Sequence, residues 1–361
     1  MKKAGLYIHI PFCSSKCPYC DFYSVKFDEL SADKYTSTVI KKLSKYHDIE
    51  VQTIYFGGGT PGILGTDRIL QIMDAIKRNF AIKHNCEVTL ELNPESADKL
   101  DFTTLYQNGI NRLSMGLQSS NDKELKYLGR LHSAKMLEQT VKDAKSAGFE
   151  NISLDLMLGV PKQTIEGLNH SIEYCASLDV THISAYILKI EENTPFYTHA
   201  DKFEFPDEDL QSELYLFAVK RLAELGYEQY EISNFCKPGY QSQHNNLYWL
   251  CEEYIGVGPS AHSFFEGRRY YYPRSFEDFY EDKIIDDGVG GDEEEFCMLR
   301  PRFKKGLSNK DFYDRFGKNL PNQYFTNAKR MIGYVECDNE CIRLTTQGFL
   351  LSNYIISEIL Y

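Results

Sequence analysis

The chain has 361 residues, 42% of them hydrophobic and 25% charged, with a formal net charge of −12. This length admits one main domain with a smaller one beside it, and the composition is that of an ordinary soluble globular protein. The acidic balance argues against a general nucleic-acid binder and against electrostatic docking on anionic lipid.

Lys2 and Lys3 precede an apolar stretch, LYIHIPF, with the outline of a signal peptide. The stretch is short, it is broken by His9 and Pro11, and no small-residue cleavage site follows. No run approaches the length of a membrane-spanning helix. A cytoplasmic location is expected, where ten cysteines read as thiols or metal ligands rather than a disulfide framework.

In chain order, apolar β-branched runs at 6–10, 53–56, 87–92, 112–117, 152–158 and 182–190 predict strands. Helical patterns at 32–46, 66–80, 133–147 and 165–177 lie between them, and one at 207–225 follows the last. Such alternation predicts an α/β fold with a parallel sheet. Nearly every strand ends in glycine or a polar group, as in GGGTPG, ELNPES, GLQSS and DLMLGVP. Functional groups spread over many strand ends favour a partial (β/α)6 barrel over an open sheet, which gathers them at one switch point.

Residues 1–226 are expected to form the barrel, and 227–295 an aromatic-rich closing segment ending in an exposed acidic connection, EDKIIDDGVGGDEEE. Residues 296–361 read as a small, mainly helical C-terminal domain with a hairpin around Asp338–Asn339 and a closing helix over 347–360.

Cys13, Cys17 and Cys20 follow the first strand with the spacing C-x3-C-x2-C. Structural zinc wants a closed shell of four ligands, and no second cysteine pair is visible. An iron–sulfur cluster is usually held by four thiolates, so three leave one iron open to a small molecule. Three free thiols in a turn, and a zinc site completed by a remote ligand, are the competing readings. The pocket candidates lie on later strand ends. Gly58, Gly59 and Thr60 form a glycine turn that matches no phosphate-loop or dinucleotide pattern. Glu91 and Gln118 end their strands, and Asp155 sits in so apolar a run that it calls for a partner. Arg130 offers a fork suited to a carboxylate.

YIHIPFC…CPYC, GGGTP and E-x-N-P together resemble the radical S-adenosylmethionine (SAM) proteins. The resemblance implies a [4Fe–4S] cluster on the three cysteines, with SAM chelating the fourth iron and cleaved by an electron from the cluster. An electron donor is then needed. It further implies that Tyr7, Tyr19, Gly58, Gly59, Thr60, Glu91, Gln118, Arg130 and Asp155 line the SAM site.

THISAYIL, YIGVGPSAHSF and LRPRFKKGLS extend the similarity almost end to end, to the coproporphyrinogen dehydrogenase-like (HemN-like) family. The dehydrogenase branch carries a further cysteine two residues after the third and a longer N-terminal extension; here Phe22 stands at that place. The HemW-type heme-chaperone branch lacks that cysteine and carries H-N-x-x-Y-W, here His244 to Trp249. The expectation is therefore a protein that binds heme, with His244 as an iron ligand, and delivers it to an acceptor hemoprotein. The alternative is oxidative decarboxylation of coproporphyrinogen III. A homodimer is compatible with either, and a nucleic-acid partner is not expected.

Overall fold

The computed structural model describes all 361 residues, Met1–Tyr361. Numbering only the elements used below, the chain runs β1 (Lys2–Ile10), α1 (Glu29–Leu43), β2 (Ile49–Gly58), α2 (Thr66–Asn79), β3 (Ala81–Leu92) and β4 (Arg112–Gln118). It continues through α3 (Ala134–Ser146), β5 (Asn151–Leu158), α4 (Ile165–Ser177), β6 (His182–Ile187), α5 (Glu208–Glu224), β7 (Asn234–Cys236), α6 (Gln243–Trp249) and β8 (Tyr254–Val257). Strands β1 to β6 pair in that order, all parallel, in the arrangement of a partial barrel. Strand β8 adds to β1 in parallel, and β7 closes against β6 antiparallel.

Helix boundaries follow local chemistry. Asp28, Ser133, Thr164 and Asp207 each cap the following helix by accepting a backbone N–H with the side chain. Each cap is worth about 1 kcal/mol.

The strands divide their faces by chemistry. Leu6, Ile8 and Ile10, then Val88, Leu90 and Leu92, then Leu113, Met115 and Leu117 are buried in the apolar core under the helices. The alternate residues are polar and meet in register: Tyr55 beside Thr89, Glu91 beside Ser114, Ser114 beside Ser153, and Asp155 beside Ser184. Parallel strands buried on both sides are usually apolar throughout. Here the inner face is a lumen of hydrogen-bonding groups that must satisfy one another. Ser153 Oγ meets His182 Nδ1 at 2.7 Å, and His182 Nε2 meets the Tyr230 hydroxyl at 2.9 Å.

Helix α6 stands against the amino end of the lumen. Glu87 accepts from the backbone N–H groups of Gln243 and His244, both at 3.1 Å. A carboxylate at a helix start also meets the positive end of its dipole.

Three details differ from the sequence reading. The strand expected to reach 190 ends at Ile187. The acidic stretch 281–295 is not a bare connection: Ile285–Val289 pairs with Arg268–Tyr271, held by backbone bonds and an Arg268–Asp286 ion pair rather than by apolar periodicity. Its last glutamates form the first turn of a helix, Glu293–Leu299, capped by Asp292, where negative charge is favourable. The closing helix is interrupted at Leu351, whose backbone leaves the helical region. The apolar core is continuous from Ala4 to Ile359, so residues 1–226, 227–295 and 296–361 share it.

Candidate functional site

A cleft of about 680 Å³ opens at the carboxyl ends of the barrel strands. Its front is the loop after β1. Phe12–Cys13 pairs with Val25–Lys26 and fastens the two ends of that loop. Cys13, Cys17 and Cys20 are free, half-buried and line the cleft. Burial pushes the Cys17 and Cys20 thiols up, while the Arg130 guanidinium draws Cys17 back.

The glycine turn seats this loop. A Cβ on Gly59 would lie 2.6 Å from the Phe12 carbonyl oxygen and 3.1 Å from Cys13 Sγ. Only a bare backbone fits beneath the cysteines. The Gly59 and Thr60 N–H groups donate to the carbonyls of Ile10 and Phe12.

A relay of side chains then crosses the cleft. Thr60 Oγ1 donates to Cys13 Sγ at 3.6 Å and accepts from Asn93 Nδ2 at 3.1 Å. Asn93 Oδ1 accepts from Arg130 at 2.9 Å, and the other guanidinium nitrogen donates to the Tyr19 hydroxyl, back in the cysteine loop. Arg130 Nε is buried with no partner. Gln118 lines the cleft with φ of 67°, a backbone conformation unusual outside glycine.

On the floor lie two carboxyl groups. Glu91 accepts from the Tyr55 hydroxyl at 2.6 Å and from the Gly58 N–H at 3.2 Å. Burial raises it to about 7 against those two bonds, and Asp155 adds to the rise. Burial likewise raises Asp155 to about 6, opposed by the Ser184 hydroxyl and by Arg112. Groups that titrate near neutrality in a cleft can hold a cation or a hydroxyl-bearing ligand in a pH-dependent way.

The cleft thus gathers Cys13, Cys17, Cys20, Tyr19, Gly58, Gly59, Thr60, Glu91, Gln118, Arg130 and Asp155. Two expected residues lie outside it. The Tyr7 hydroxyl meets His9 Nδ1 at 3.0 Å deeper in the lumen. His244 is fully buried, with Nδ1 on Thr53 Oγ1 at 2.8 Å, Nε2 on the Tyr248 hydroxyl at 2.9 Å, and its ring stacked on Tyr55. Both ring nitrogens are committed, and the imidazole is pushed down to about 3 by burial. Asn93 and Tyr55, which position Arg130 and Glu91, were not singled out from sequence. Only the strand alternation that places Tyr55 on the same face as Glu91 hinted at them.

No three or more His, Cys, Asp or Glu side chains are drawn together around one point, as the ligands of a single ion would be. The donor set, three thiols spread over one loop beside a glycine cradle, fits a multi-iron cluster better.

A family model described as the radical SAM superfamily matches residues 7–175. Heme chaperone HemW of Bacillus subtilis (strain 168) is 36% identical over 381 aligned residues, covering 100% of this chain and 99% of its own. Heme chaperone HemW of Escherichia coli (strain K12) is 37% identical over 265, covering 72% and 69%. The chain belongs to the HemW family of radical SAM proteins. Among solved structures, coproporphyrinogen III oxidase (HemN) from Escherichia coli aligns with a TM-score of 0.84 over 99% of this chain and 90% of its own, at 20% identity. That likeness establishes the fold.

Proposed function

We propose that this chain binds a [4Fe–4S] cluster on Cys13, Cys17 and Cys20, SAM beside it, and heme, which it delivers to an acceptor hemoprotein. One observation supports the reading most: three thiols, and no fourth, face a cleft whose other walls offer Glu91, Arg130 and Asp155. When bound, the cluster supplies an electron to SAM through its open iron. Glu91 and Asp155 would accept from the ammonium or hydroxyl groups of SAM, and Arg130 would orient its carboxylate. The Asn93–Thr60 relay keeps Arg130 and Cys13 in fixed relation. Phe22, 65% exposed at the cleft wall, stands where the dehydrogenase branch has a further cysteine, which disfavours the decarboxylase alternative.

The reading calls for a reductant for the cluster and places the protein in the cytoplasm. No helix is long and apolar enough to cross a membrane. Sizing with and without heme tests the homodimer. The deciding experiment is anaerobic incubation of the cluster-loaded chain with coproporphyrinogen III, SAM and reductant, in parallel with heme transfer to an apo-hemoprotein. Transfer without protoporphyrinogen is expected. Formation of protoporphyrinogen would establish the decarboxylase instead.

A further inference from the structure

A second cavity, of about 630 Å³, lies at the other end of the barrel. Cys236 of β7, which lines it, pairs in register with His182, the first residue of β6, so the cavity sits at the amino ends of the strands. Its floor is a small apolar cluster of Tyr230, Cys236 and Phe303, with Trp249 and Leu250 packed against it. Its rim is basic: Arg300, Lys304, Lys305 and Arg343 surround it, and Glu228 is the one acidic residue in the lining. Arg300 is paired with Asp311 and Arg343 with Asp338, which leaves Lys304 and Lys305 as the two rim cations without an acidic partner, in a chain of net charge −12.

The polar lining is incompletely satisfied. Arg300 is 6% exposed and pairs with Asp311 through one terminal nitrogen, yet its Nε is buried with no partner. Asn246 and Gln229 also belong to the lining, and their side-chain oxygens, Asn246 Oδ1 and Gln229 Oε1, are buried beneath its surface without partners. A buried polar atom without a partner costs stability unless something else supplies the bond. Lys304 and Lys305 are exposed at the mouth.

Helix α6 forms one wall. It turns His244 toward the lumen and Asn246 toward this cavity, with Leu250 just past its end also lining it. The H-N-x-x-Y-W segment therefore borders a ligand-sized space, on the side opposite its histidine.

We infer that this cavity is where the chain holds heme, with the ring against Tyr230, Phe303 and Leu250 and the propionates on Lys304 and Lys305. The inference rests on the heme-handling reading and adds a location and a recognition chemistry to it. A flat apolar ring with two carboxylates matches an apolar floor with a cationic rim. A mouth open to solvent suits a ligand that must be passed on. The site lies apart from the cysteine cleft, so heme and SAM need not compete for space.

The test is absorption titration of the full-length, cluster-loaded chain with ferric heme at fixed ionic strength. Lys304→Glu/Lys305→Glu, at exposed positions, is expected to weaken binding roughly tenfold, the sum of two rim ion pairs lost and reversed. Glu228→Lys is expected to tighten it. Equal affinity of wild type and both variants would overturn this site and leave the heme reading standing. No saturable heme binding by the wild type would overturn both.

Discussion

The Tyr55 hydroxyl donates to Glu91 Oε1 across 2.6 Å, from one strand to the next. This bond favours the charged carboxylate, while burial favours the neutral acid. Tyr55→Phe removes the donor and leaves the ring's packing in place. Glu91 should then titrate higher, and SAM affinity at pH 7 should fall about threefold to tenfold. Isothermal titration on the cluster-loaded protein reads this directly; unchanged affinity would remove Glu91 from the SAM site.

Glu91 at about 7 and Asp155 at about 6 both lie above their ordinary values of 4.5 and 3.8. The folded chain therefore holds protons that the unfolded chain has released between about pH 4 and pH 7. Their contribution to stability is present below pH 4 and is lost as pH rises through 6 to 7. Glu91→Gln should be more stable than wild type at pH 8, by about 1–2 kcal/mol after discounting for solvent in the cleft. Binding of a cationic ligand should run the other way in the wild type, strengthening as pH rises through 7. Denaturant melts and ligand titrations at pH 5.5 and pH 8 check the two signs, and a flat stability difference would contradict the burial argument.

Arg130 bridges Asn93 and Tyr19 with separate nitrogens. Lysine at 130 keeps the charge and cannot span both. Arg130→Lys should retain the fold by circular dichroism and lose about tenfold in SAM affinity. Wild-type affinity in this variant would mean that charge alone, without the fork, suffices.

Gly59→Ala places a Cβ against the backbone oxygen of Phe12. Backbone cannot swing aside as a side-chain tip can, so the cysteine loop must shift. Iron and sulfide content after reconstitution should fall well below wild type while the melting temperature changes little. Full cluster loading would show that the loop tolerates displacement.

His244→Ala leaves Thr53 and Tyr248 without their buried partner. A loss of about 2–4 kcal/mol in stability is expected, from a lumen cavity and unpaired hydroxyls. Heme affinity should stay close to that of the wild type wherever the variant is folded. A collapse of heme affinity in folded protein would restore the imidazole as an iron ligand.

The six strands were legible because they alternate: in EVTLEL the apolar residues face the helices and the polar ones the lumen, and NISLDLML follows the same rule except at Met157, which lines the cleft. The cysteine loop and the strand-end residues could be named from local spacing. Asn93 was hidden because its partners, Thr60 and Arg130, are 33 and 37 positions away. The motif does not say which side of its helix His244 takes, and the structure places its ring among Thr53, Tyr55 and Tyr248. The 285–289 strand was missed because it is paired through backbone rather than by an apolar stripe.

The two-faced strands have a consequence for how this scaffold can change. The outer, apolar layer supplies the free energy of folding, and the inner layer holds the groups that meet ligands. Mutational tolerance should divide along the same line. Outward positions should accept substitutions by size, each at its own cost. Inward positions such as Ser153 and His182 should accept change only in matched pairs, as letters in one word. New ligand chemistry can therefore arise inside the barrel without renegotiating the architecture that encloses it.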